Sequence, residues 1–468
     1  MSSPSTLQPP ALAVPIEAMR QQVQTGASRT AAWRQAQLQR LDGMLQRHWE
    51  PLTAALGSDL GKPPLEAAME LLLVRQELRL CRRRLHRWMA PRPLPTALHL
   101  QPAKAWQQAE PLGCVLIISP WNYPLQLCLR PLVNALAAGN TAVLKPSEHA
   151  PATARLLGSL IRATFDPEVV QVVEGDSATA AALLEQRFDH IVFTGSGRVG
   201  QLVLEAAARH LTPVTLELGG KSPALVLADA ALAVTARRLI WGKGYNAGQT
   251  CVAPDYLLVE RAVQAPLLAA LRQEQQRLFG DTPLTSPDLG SIVNQAQFNR
   301  LEALLRQARD RGQVLFGGNC DPLRRRIEPT VVQVTSGDDP LLQDELFGPI
   351  LPVLAIENLQ DALAFINGRP KPLALYLFSQ SSQLQQQVLA GTSSGTAVVN
   401  DVILQASDAN LPFGGVGPSG MGRYHGQAGF DALSHLRTVL QRPTWGDVPF
   451  RYPPYNNRSL ALLRRLLG

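Results

Sequence analysis

The chain has 468 residues, of which 46% are hydrophobic and 17% charged, a globular mixture with material for two or three structural domains. Its five cysteines, Cys81, Cys114, Cys128, Cys251 and Cys320, form no C-x-x-C and no pairing pattern. The eight histidines form no metal-binding motif, so a disulfide framework and a zinc site are both excluded as expectations, and a reducing compartment is favoured.

Residues 1–15, "MSSPSTLQPPALAVP", lack an apolar core and read as a flexible leader rather than a secretory signal. With no run of about 18 apolar residues, the expected location is the cytoplasm. Helices are expected over 16–90, with a break at "GSDLGKPP". The net charge of +7 is densest in "RLCRRRLHRWMAPR", residues 79–92. There Leu71, Val74, Leu78, Cys81, Leu85 and Trp88 recur at helical spacing, so the arginines read as the solvated side of a helix. No nucleic-acid fold signature accompanies them, and no nucleic-acid partner is expected.

From residue 113 the pattern changes. "GCVLIIS", "TAVLK", "VVQVVEG", "HIVFTG" and "PVTLEL" are short β-rich runs separated by helical stretches such as "PATARLLGSLIRATF". A second alternating series runs from "ALVLAD" to "GTAVVN". Strands alternating with helices imply parallel sheets with crossover helices, hence an α/β fold with two such domains in succession.

Several segments could carry chemistry. In "FTGSGRVG", Gly195, Gly197 and Gly200 follow a strand and open a helix as G-x-G-x-x-G, which lets backbone approach a pyrophosphate at a helix N-terminus. Alone, the motif also suits a tight turn that binds nothing. In an ordinary dinucleotide fold Glu217, about twenty residues on, would hold the ribose. Lys145 and Glu148 follow a strand and could hold a ribose or cap the next helix. Asn122, after "IISPW", could donate to a developing oxyanion or merely serve a turn. Glu217, before a Gly-Gly turn, could be a desolvated general base or half of an ion pair. Cys251 lies in "YNAGQTCVAPDY", among small and turn-forming residues rather than core ones. A Gly-rich loop, an amide, a carboxylate and a loop cysteine together are the parts of a thiol-dependent redox enzyme.

The ordered set "GCVLIISPWNYPL", "LKPSE", "FTGSGRVG", "LELGGKSP", "GQTCVAPDY", "ELFGPILPV" and "LPFGGVGPSGMGRYHG" resembles the aldehyde dehydrogenase superfamily over residues 20–440. The short N-terminus, "DLGKPP" and "PLALYLF" look like the class 3 or fatty-aldehyde branch. The resemblance implies a Rossmann-like NAD-binding domain over 16–216, with an oligomerisation hairpin within 95–112. It further implies a catalytic domain over 217–396, a return segment over 397–443 and a tail over 444–468. It implies Cys251 as nucleophile, Glu217 as the base that activates water, and Asn122 with the Cys251 N–H as oxyanion hole. Trp121, Lys145, Glu148, Gly195, Ser196, Gly197, Gly200, Leu218, Glu345 and Phe347 are implied to hold the cofactor, NAD with some NADP use. Glu217 is thereby removed from the ribose.

Tyr123 and Phe413 are expected in the substrate wall. Gln405 stands where class 3 relatives often carry a histidine, in a segment that lines the substrate entrance in that family. The implied product is a carboxylic acid, from a medium- or long-chain, aromatic or apocarotenoid-like aldehyde. The alternative is an acylating, coenzyme A-dependent enzyme or an acyl-phosphate reductase of the same fold. A homodimer is expected, paired through the hairpin and a strand near 395–400. In the tail, Leu460, Leu463 and Leu467 share a helical face beside Arg464 and Arg465. Docking on the protein's own surface is favoured there over contact with an anionic membrane.

Overall fold

A computed structural model describes residues 14–447, 451–455 and 457–467; most of the expected leader lies outside them. Residues 14–90 fold mainly as helices, Ile16–Gln24, Ala31–Arg47, Trp49–Leu60 and Pro64–Met89. The expected break falls at Gly61, whose φ is 61°, followed by Lys62 and the Pro63–Pro64 pair. Proline fixes φ and lacks an N–H, so it suits the first turn of the next helix and not the interior of the last. The stripe from Leu71 to Trp88 is buried against the core. On the same helix Arg79, Arg83, Arg84 and Arg87 are exposed, while Arg75 and Arg82 pair with Asp42.

Among the described residues, two main sheets carry the rest. The first has six strands in the order Gly420–Met421, Val214–Glu217, His190–Thr194, Cys114–Ile118, Thr141–Lys145, Val170–Val172. All pair in parallel except Gly420–Met421, which returns late in the chain to lie antiparallel beside Glu217. The second has seven, in the order Val314–Phe316, Thr330–Val334, Ile350–Ile356, Tyr256–Glu260, Pro223–Val226, Ala374–Phe378, Thr396–Val399. Only Val314–Phe316 runs antiparallel in it. The central strands read as continuous apolar runs because helices cover both faces.

Register decides where the motifs meet. Ile118 pairs with Lys145 and with Phe193, and Thr194 pairs with Glu217. The loops after these strands therefore leave one carboxyl edge together, the edge at which parallel sheets bind ligands. The second sheet offers the opposite end: Cys251 precedes its strand Tyr256–Glu260, and Glu345 and Phe347 precede Ile350–Ile356. The two edges face each other.

A third, three-stranded sheet joins Arg92–Leu94, Lys104–Pro111 and Ser434–Gln441. Its long strand lies in the segment expected to form a hairpin, and its eight-residue partner Ser434–Gln441 comes from the return segment. The tail includes a helix, Asn457–Leu467. No helix among the described residues is long and apolar enough to cross a membrane.

Candidate active site

The approach to Cys251 is a sequence of unusual backbone conformations. Asn246 and Ala247 both have φ of 51°, and Gly248 has φ of 72°. Left-handed backbone is disfavoured for residues with a Cβ and needs surroundings that enforce it. At Gly248 a Cβ would come within 2.4 Å of the Gly348 carbonyl oxygen, so glycine is the residue that fits. The Asn246 N–H donates to Glu66 at 2.8 Å, and its side-chain amide donates to the carbonyls of Asn122 and Gln249. The fully buried Gln249 ties the turn down from both ends of its amide. It donates to Asn246 O and Ser291 O and accepts from the Val293 N–H.

Cys251 thus presents its thiol at a fixed point, open on one side to a cavity of about 260 Å³. The cavity is lined mainly by apolar groups, among them Tyr123, Leu127, Trp241, Tyr245, Ile403 and Phe413. Tyr123 is held by a 2.5 Å hydrogen bond between its hydroxyl and that of Thr250. Burial, then the charges of Glu345 and Glu217, push the Cys251 thiol up to about 12, against the pull of the Cys251 and Val252 backbone N–H groups.

Glu217 ends its strand with 2% of its surface exposed. Neither carboxyl oxygen has a hydrogen-bond partner among the described residues. Burial alone raises its carboxyl well above the usual range, so it holds a proton where an exposed glutamate would not. Asn122 comes from the first sheet, yet its Nδ2 donates to Gln249 O at 3.1 Å, which places the amide against the Cys251 turn. That bond uses one of the two N–H groups and leaves the other available. Neither Asn122 nor Glu217 lines the apolar cavity; both approach Cys251 from the first sheet.

Glu345 packs on the Gly-Gly turn after Glu217. A Cβ at Gly219 would sit 2.1 Å from its carboxyl oxygen. Burial and the charge of Asp255 push Glu345 up to about 8, against Lys221, Lys243 and the Gly220 N–H. Phe347, itself left-handed with φ of 51°, meets Trp121 edge to face at 5.2 Å.

On the carboxyl edge of the first sheet, Lys145 and Glu148 pair at 2.8 Å. Burial opposes ionisation of Glu148, but the Lys145 ammonium and backbone N–H bonds outweigh it and lower its carboxyl. Ser196 precedes the helix Gly197–Ala208 without capping it by a side-chain bond, so the first-turn N–H groups stay free for an anion. The glycines of this loop differ in role. A Cβ at Gly195 would strike the Phe193 ring and one at Gly200 the Leu218 side chain, but one at Gly197 would meet nothing within 4 Å. The loop is therefore packed on the protein side and open at Gly197, which fits the approach of a pyrophosphate. The Leu218 N–H is already donated to Ser419 O at 3.1 Å.

Some supporting residues carried no flag in the sequence. Lys62 and Glu70 form a buried ion pair under Asn122. Asp255 accepts from Lys221 at 2.7 Å and Lys243 at 3.1 Å. Gln405, by contrast, stood out in the sequence; it donates to the Tyr376 hydroxyl at 3.1 Å, and that hydroxyl in turn donates to Val252 O, linking the expected substrate entrance to the Cys251 turn. The available signal was the pattern of Pro64–Met89: Glu70 and Glu77 sit among its buried apolar positions, and a carboxylate there needs a partner. Among the described residues no cluster of His, Cys, Asp and Glu could hold a metal ion.

Comparison with known proteins gives the family. A model of the aldehyde dehydrogenase family matches residues 10–439, and the chain belongs to that family. Aldehyde dehydrogenase family 3 member B1 of Homo sapiens is 47% identical over 448 residues, covering 95% of both chains. Family 3 member H1 of Arabidopsis thaliana is 44% identical over 451 residues, 96% of this chain and 93% of that one. The structure of Staphylococcus aureus AldH in a substrate-bound state superposes with a TM-score of 0.93 at 40% identity, over 97% of this chain and 98% of that chain. The protein is an NAD(P)-dependent aldehyde dehydrogenase of the class 3 type.

The environment of Cys251 generates a direct expectation. Without cofactor or substrate, alkylation of Cys251 by iodoacetamide should rise about tenfold per pH unit between about pH 7 and pH 9, since only the thiolate reacts. Peptide mass spectrometry separates it from the other cysteines. A rate that levels off below about pH 8 would contradict a thiol held protonated by burial.

Proposed function

We propose that the enzyme oxidises an apolar aldehyde to its carboxylic acid through a covalent adduct on Cys251. The observation that carries this reading is the placement of Cys251 at the junction of an apolar cavity and a buried, unpartnered carboxyl, Glu217. The aldehyde enters along the cavity; the Cys251 thiol gives up its proton to solvent, and the thiolate adds to the carbonyl carbon, giving a thiohemiacetal. Asn122 Nδ2 and the Cys251 N–H stabilise the developing oxyanion. A bound nicotinamide would supply the hydride acceptor at this point. Loss of the hydride would leave a thioester, to which Glu217, in its ionised form, delivers water by taking its proton, and the acid departs. A carboxyl raised by desolvation suits a base that must act near neutral pH.

The cofactor's pyrophosphate would rest on the open Gly197 edge and its adenosine ribose on Lys145 and Glu148, with Trp121, Ser196, Leu218, Glu345 and Phe347 completing the site. The Glu148 charge disfavours a 2′-phosphate and Lys145 partly offsets it, so NAD is preferred and NADP tolerated. The apolar lining, with Tyr123 and Phe413 in its wall, suits medium- or long-chain, aromatic or polyene aldehydes. A relative named 4,4'-diaponeurosporen-aldehyde dehydrogenase, from Staphylococcus aureus, is 42% identical over 435 residues and supports the long apolar end of that range. An acylating enzyme would need no water-activating carboxylate, and Glu217 weighs against it.

An aldehyde series of graded chain length, run with NAD and with NADP and with or without coenzyme A, tests the reading. NADH formation independent of coenzyme A, with kcat/KM rising with chain length, is expected. Dependence on coenzyme A, or at least tenfold higher efficiency with NADP, would overturn the corresponding part.

We also propose a homodimer, paired through the sheet that contains Lys104–Pro111 and through the edge strand Thr396–Val399. A two-fold contact uses the same surface on both subunits. Light scattering at micromolar concentration should give twice the mass of the chain, and a monomer would contradict it.

A further inference from the structure

We propose that the buried pair Lys62–Glu70 is a positioning device for Asn122 and Tyr123, setting the amide donor and the first wall of the aldehyde cavity in place. The proposal rests on the reading of Asn122 as an oxyanion donor.

Both side chains are almost wholly enclosed, at 0% and 1% exposure. Taking two charges out of water is costly, and an apolar pair of similar volume would often be at least as stable. The reason for keeping the pair therefore lies in what else its atoms hold. The Lys62 ammonium donates to the backbone carbonyl of Asn122 at 2.7 Å and lies 4.1 Å from the centre of the Tyr123 ring. Glu70 accepts from the backbone N–H groups of Leu125 and Gln126 at 3.1 and 3.0 Å.

Leu125 is the N-cap of the helix Gln126–Ala138 and supplies no side-chain cap. Glu70 supplies that cap from a different helix. The two ends of the loop 122–126 are thus fixed by one ion pair, a cation on its first carbonyl and an anion on its last two N–H groups. Asn246 Nδ2 adds a second bond to the same Asn122 carbonyl, at 2.9 Å, so the peptide that carries the Asn122 side chain is pinned between Lys62 and the Cys251 turn. The other supports of the site, Glu66 and the Lys221–Asp255–Lys243 group, hold the Asn246 N–H and the Leu346 N–H beside Glu345 rather than this loop.

Lys62→Met alone leaves Glu70 buried without its cation and is expected to fold poorly. Lys62→Met with Glu70→Gln removes both charges and keeps an acceptor for the Leu125 and Gln126 N–H groups. This double variant should recover thermal stability close to wild type, while the rate constant of the NADH burst falls about 10–100-fold and KM for NAD stays within about twofold. Asn122→Ala is measured beside it. If Lys62 acts through Asn122, adding the double change to Asn122→Ala should cost little more than Asn122→Ala alone.

A double variant with wild-type burst rate, while Asn122→Ala is slow, overturns the positioning role and leaves the oxyanion reading intact. Losses that simply multiply also overturn it, since the pair would then act by another route. If Asn122→Ala itself keeps the wild-type burst rate, the oxyanion reading fails and this proposal falls with it.

Discussion

Glu217 is buried and Cys251 opens only onto a mainly apolar cavity, and much of the molecule can be understood from that constraint. A thiol and a carboxyl placed side by side with little solvent cannot both carry charge cheaply. Burial is the largest influence on both groups and favours the neutral form of each; ionised Glu345 and Glu217 would each raise the thiol further. The same dryness makes a single amide donor such as Asn122 worth more than it would be in water.

Holding polar groups in a dry place requires support that itself lies inside the protein. Three buried sets provide it: Lys62–Glu70 below the Asn122 loop, Lys221–Asp255–Lys243 behind Glu345, and the Gln249–Asn246 amides within the Cys251 turn. A fourth, Glu77 with Arg130 and Asn134, locks the long helix Pro64–Met89 to the helix Gln126–Ala138 that follows the Asn122 loop. Lys62 and Asn246, 60 and 124 residues from Asn122 in the chain, both donate to its carbonyl, so the active geometry is a property of both sheets together. The left-handed residues Asn246, Ala247 and Phe347 are where backbone strain is spent in reaching that geometry.

Much of this was legible in the residues. The alternation of β-rich and helical runs marked the strands because parallel, covered strands are apolar along their length. Cys251 stood out because its neighbours are turn formers, and Glu217 because it precedes a Gly-Gly turn at a strand end. The joint order of the motifs then identified the family. What stayed hidden was pairing at long range. Nothing local says that Lys62, before a proline pair, meets Glu70 and then a carbonyl sixty residues on. Nor does "SHLRTVLQ" announce that it will lie antiparallel to Lys104–Pro111. Gln405 was visible only as a departure from relatives, whereas the structure shows it bonded to Tyr376 behind the Cys251 turn.

The central claim is that Glu217 serves the hydrolytic half of the reaction and not the oxidative half. The most direct measurement is rapid-mixing kinetics of Glu217→Gln with intact-mass detection of the protein. The account predicts a burst of about one NADH per active site, a mass increase on Cys251 equal to the acyl group, and steady turnover lower by about 10²–10⁴. Steady turnover at the wild-type rate, with no acyl-enzyme accumulating, would contradict it.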